Sequence, residues 1–88
     1  MKQILLPLLA ATFSLVAQTA LAGPQCNAPK DKWVPADLFQ KRLVEQGYQI
    51  KKFKETTGGC YEIYGHDKSG QKVEIYFDPA TGNIVKQK

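Results

Sequence analysis

Beyond Ala22 the chain has one serine, one histidine and two leucines. Each shortage excludes something. Ser69 and His66 are a thin supply of nucleophile and base, and two cysteines with a lone His66 fall short of a four-ligand zinc site. The longest apolar run, Ile4 to Val16, is broken by Pro7, Thr12 and Ser14. It is shorter than the roughly 20 residues that cross a bilayer. At 88 residues the chain has no room for a dinucleotide-binding domain, a barrel enzyme or a multi-pass membrane protein.

What the first 22 residues do contain is the layout of a cleavable export signal. Lys2 supplies a positive start, the apolar run follows, and Ala20-Leu21-Ala22 places small residues where a signal peptidase reads. Cleavage after Ala22 would release Gly23 to Lys88, a chain of 66 residues with a net charge of +3. Pro24, rather than cysteine, follows Gly23, so no lipid attachment and no stable membrane insertion are expected after cleavage. The expected compartment is the periplasm or the exterior. Export and dispersed basic residues, clustered only at Lys51, Lys52 and Lys54, argue against a nucleic-acid partner.

An exported chain meets oxidising conditions, and Cys26 and Cys60 form the one pair available within a monomer. A disulfide closing a loop of this length is worth about 3–4 kcal/mol on the chain-entropy model. For so short a domain that decides whether it folds.

Residues 23–31, with Pro24, Asn27 and Pro29 and no periodicity, read as an extended arm, and the folded domain as 32–88. Pro35 suits a first helical turn, and Asp37 favours the positive end of the helix. Leu38, Phe39, Leu43 and Gln46 follow helical spacing, and Gly47 is placed to close a helix of about 11 residues. After it the period becomes two. Tyr48 and Ile50 alternate with polar residues, and Phe53 falls out of phase, as a bulge near Lys51-Lys52 would cause. Cys60 to Tyr64, Val73 to Phe77 and Ile84-Val85 read as further strands, separated by turns at Thr57-Gly58-Gly59, His66 to Gly70 and Asp78 to Gly82. The fold class is therefore α+β, one N-terminal helix on a three- to four-stranded antiparallel β-meander.

Chemistry-bearing groups are few. His66, Asp67 and Ser69 are triad residue types, but neighbours in one tight turn do not align nucleophile, base and acid. No catalytic residue and no cofactor are expected. Glu62 and Glu74 fall on the strand face opposite Tyr61, Ile63 and Ile75, where water would keep both carboxyls ionised. Asp67, Glu74 and Asp78 form a weak candidate for calcium, against the simpler reading that Asp78 and Thr81 fix a turn through local backbone bonds. The aromatics say more. The same alternation turns Tyr64 and Tyr76 outward, and with Lys52 and Lys72 they would form an exposed contact surface; the alternative is cross-strand pairing that stiffens the sheet.

Trp33, the helix ending Gly47-Tyr48, Gly59-Cys60-Tyr61-Glu62-Ile63, the stretch Asp67 to Tyr76 and Asp78-Pro79-Ala80-Thr81-Gly82-Asn83-Ile84-Val85 together resemble the PepSY domain family. The likeness covers about 32–86 and is greatest to its small, exported single-domain members of Gram-negative bacteria. It implies a helix packed on an antiparallel sheet and a non-enzymatic module that binds or inhibits peptidases, and it brings no catalytic residues. The expected partner is thus a peptidase or another envelope protein; a calcium- or small-ligand-responsive envelope protein is the alternative.

Overall fold

The computed structural model describes residues 23–88; the export signal expected at 1–22 lies outside the described residues. A short 3-10 turn, Lys30–Lys32, leads into helix α1, Ala36–Glu45. Four strands follow: β1 Gln49–Glu55, β2 Tyr61–His66, β3 Lys72–Phe77 and β4 Ile84–Gln87. They form one antiparallel sheet in chain order, so the expected meander has four strands, each paired with its sequence neighbour.

Pro35 caps α1, where its missing N–H costs nothing. At the far end Gly47 has φ 104°, a left-handed conformation. There its N–H bonds the Val44 carbonyl at 3.0 Å and the Tyr48 N–H bonds the Leu43 carbonyl at 3.1 Å. This paired closure turns the chain sharply and drops Tyr48 against Phe77. Phe39 and Leu43, four residues apart, are the side chains α1 buries. Leu38 and Gln46, expected on that stripe, are exposed instead. One step of about 100° separates Leu38 from Phe39, which sets it in the Arg42 and Glu45 row facing solvent.

The helix rests on the sheet face carrying Tyr61, Ile63, Val73, Ile75 and Phe77. Phe39 stands edge-on to Tyr61 at 4.8 Å and to Phe77 at 5.4 Å, Trp33 meets Tyr61 at 5.4 Å, and Phe53 tilts onto Tyr61 at 4.9 Å. Rings do here what leucines do in larger cores. In β1 the register shifts between Ile50 and Lys52, making Lys51 the extra residue of the expected bulge and returning Phe53 to the core face. Cys26 and Cys60 are joined in a disulfide, and the Cys26 N–H bonds the Gly58 carbonyl at 2.8 Å. The arm is thereby laid across the start of β2. Among the described residues no helix is long and apolar enough to cross a membrane.

Candidate functional site: the outer face of the sheet

Opposite the helix, the strand pairings arrange charge in two rows. Lys54, Glu62, Tyr76 and Lys86 face one another in order across β1 to β4. Lys52, Tyr64 and Glu74 make the second row, which Lys88 completes through reciprocal backbone bonds with Glu74 at 2.9 and 3.1 Å. Tyrosines and carboxylates thus occupy the two central strands and lysines the two edges. Alternation with the core face, period two, dictates this placement.

The two halves of the face differ in cover. Tyr64 is 38% exposed, and Lys52 and Lys72 are exposed, as the alternation predicts. Tyr76 and Glu62 point to the same side, but they are 6% and 2% exposed. This corrects the expectation that Tyr76 belongs to an open surface and that Glu62 faces water. Over Tyr76 the cover is the arm: a Cβ on Gly23 would stand 2.9 Å from Tyr76 Cε2 and 3.1 Å from its hydroxyl oxygen. The contact is non-local, spanning the distance from 23 to 76 in the chain, and no local pattern announces it.

Burial sets the electrostatics. Desolvation pushes the Glu62 carboxyl above its ordinary range, and neighbouring Glu74 adds to the rise; the Tyr64 and Tyr76 hydroxyls pull the other way. Glu62 beside it lowers Glu74, so the proton of the pair resides on Glu62. Tyr76 Oη donates to Glu74 Oε2 at 3.0 Å, and Lys88 Nζ stands 3.7 Å from Glu74 Oε1. Lys54 Nζ stands 3.9 Å from Glu62 Oε1, and Glu62 Oε2 has no partner among the described residues. The two carboxylates, through hydrogen bonding to Glu74 first, push the Tyr64 hydroxyl up to about 12, and burial holds Tyr76 higher still above its ordinary value.

On the exposed half, an open groove of about 450 Å³ is lined by Lys51, Tyr64, His66, Lys72, Glu74 and Lys88, among others. The edge beyond it is β4, with every residue exposed and Ile84 and Val85 at 48% and 44%.

The three acids considered for an ion are not brought together. Asp67 lies in the β2–β3 turn and Asp78 in the β3–β4 turn, at opposite ends of β3, and Glu74 lies on the outer face between them. Asp67 Oδ1 is spent on the turn, accepting at 2.9 Å from the Ser69 N–H, the Ser69 hydroxyl and the Gln71 N–H, which lowers its carboxyl. Asp78 Oδ1 accepts from the Ala80 and Thr81 N–H groups at 2.8 and 3.1 Å. Both are turn-fixing aspartates. Ser69 bonds Asp67 directly, so His66 does not stand between them as a triad base would. Among the described residues no group of three metal-ligating side chains converges. Sequence reasoning missed Glu62 and Gly23 as site residues; the signal within reach was the shared phase of Glu62, Tyr64, Glu74 and Tyr76.

No curated protein and no solved structure matches the chain. A family model does, over residues 6–88: that of the peptidase propeptide and YPEB domain. It spans nearly the whole sequence, and members of this family in general bind or inhibit peptidases. The chain belongs to the PepSY family.

Proposed function

We propose that this is an exported, non-catalytic module that binds an envelope peptidase in the periplasm and restrains it. The observation that supports this mode of action is the unpaired outer edge of β4. Lys88 and Glu74 exchange both backbone bonds, so by alternation the Gln87 N–H group points away from β3, while the register shift at Val85 ends that alternation. Such an edge accepts an extended segment of another protein as a fifth strand. Both edge pairings contain a register shift, and β1 is the less suited edge because it carries Lys51, Lys52 and Lys54. A segment on β4 would have the groove of Tyr64, Lys72 and Lys88 beside it as a second anchor.

The test uses the protein exported and processed in a bacterial host, immobilised and exposed to envelope extract from its own source. A peptidase should be retained and its activity should fall when free module is added. Gln87→Pro removes the outward N–H at an edge position that tolerates proline. It should abolish retention while leaving the melting temperature nearly unchanged. Retention undiminished by this change removes the edge-pairing mode; retention of no peptidase removes the peptidase reading.

A further inference from the structure

The Glu62–Glu74 pair is incomplete as it stands. Glu62 is 2% exposed, its Oε2 has no partner among the described residues, and Lys54 approaches only Oε1, at 3.9 Å. A buried carboxyl oxygen of this kind calls for a cation or a donor. The segment lying over this half of the face is the arm, and it is held firmly. The disulfide and the Cys26–Gly58 backbone bond fix it three residues away from Gly23, and a Cβ on Gly58 would collide with the Pro24 carbonyl. A Cβ on Gly23 would stand 2.9 Å from the Tyr76 ring, so the position has no space for a side chain. Tyr76 Oη, the atom Gly23 packs on, is the donor to Glu74 Oε2.

We propose that the α-ammonium of Gly23, created when the export signal is cut after Ala22, is the missing counter-ion of the Glu62–Glu74 pair. The inference rests on the cleavage read from Ala20-Leu21-Ala22 and is independent of any peptidase partner. Hydrolysis adds water's hydroxyl to the Ala22 carbonyl carbon and its hydrogen to the Gly23 nitrogen, and the new amine takes a proton from solvent. Before the cut that nitrogen is a neutral amide with one N–H. Afterwards it is a cation with three donors, on the sheet face that carries the Glu62 and Glu74 carboxyls. Processing therefore completes the electrostatics of the outer face. The groups facing this site are Lys52 and Lys54 from β1, Tyr64 from β2, Tyr76 from β3, Lys86 from β4 and Lys88 just beyond it. The lysines sit at the margins, with Lys54 and Lys88 side chains half exposed.

The full chain is exported in a bacterial host, its N-terminus is read by mass spectrometry, and the α-amine of the folded product is titrated by NMR. The expected result is a chain beginning at Gly23 whose amine titrates above the ordinary range of about 7.7–8.0. Glu62→Gln, or Glu74→Gln if the first variant folds poorly, should return it toward the ordinary range. A chain beginning elsewhere overturns the cleavage and the pairing together. A Gly23 amine with an ordinary titration in the folded protein leaves the cleavage standing and overturns the pairing. So does a raised amine that neither variant moves.

Discussion

Cys26 and Cys60 are bonded with their Cα atoms 5.2 Å apart, and this one link sets the arm over the outer face of the sheet. Cys60 is fully buried beside the first residue of β2, so the arm is tied to the centre of the sheet rather than to its rim. Everything from Gly23 to Cys26 takes its position from there.

Replacing both cysteines with alanine should therefore lower stability by about 3–4 kcal/mol. Thermal unfolding of the double variant should occur at least about 12 °C below the oxidised protein, given the steep response of so small a domain. A shift of only a few degrees would mean that the remaining contacts already constrain the arm.

Tyr61 is the hub of the core. Three rings contact it, and its hydroxyl donates to the Val34 carbonyl at 2.6 Å, with the Val34 N–H bonded to the Pro79 carbonyl at 2.9 Å. Tyr61→Phe keeps the ring and removes one hydrogen bond, so a loss of about 1 kcal/mol is expected in chemical denaturation. Tyr61→Ala empties the hub as well, at about 3–5 kcal/mol.

The buried carboxyl gives a pH dependence with a definite sign. In a chain whose Gly23 nitrogen is still an amide, the fold favours neutral Glu62, so its folded value lies above the ordinary 4.5. Its contribution is complete below 4.5 and is lost as pH rises through the raised value. Chemical denaturation of a signal-retaining chain at a series of pH values above 4.5 should show this decline. Glu62→Gln should flatten it, and in the processed chain the Gly23 ammonium should reduce it. A decline that Glu62→Gln leaves intact would assign it to another group.

The local rules carried most of the architecture. The Gly47 closure, the bulge near Lys51-Lys52, the Asp78 turn and the four strands each depend on residues close in sequence, and each was legible there. β2 runs to His66, two residues beyond the expected end, because Gly65 and His66 continue the pairing with Val73 and Lys72. The missed features are non-local. Alternation correctly placed Glu62 and Tyr76 on the outer face, yet exposure depends on what lies over that face. The arm that packs on Tyr76 has no periodicity from which a contact with residue 76 could be read. The supposed ion site failed for a related reason: composition gathers acids, whereas the hairpin geometry sends Asp67 and Asp78 to opposite ends of β3.

The same distinction separates the two outer-face tyrosines experimentally. Tyr76 is enclosed between the arm and the sheet, so Tyr76→Ala should cost about 3 kcal/mol and loosen the arm, acting on stability before any contact with a partner. Tyr64 is 38% exposed beside Lys72, and its truncation removes cross-strand packing worth less than about 1 kcal/mol. A fold-preserving Tyr64→Ala, Lys72→Ala double variant therefore reports on the groove alone. If the groove anchors a segment paired on β4, that variant should raise the dissociation constant for the retained peptidase about tenfold or more without moving the melting temperature by more than a few degrees. Unaltered affinity would confine recognition to the β4 edge. A simultaneous fall in affinity and melting temperature would return Tyr64 to the stiffening role that cross-strand pairing alone predicts.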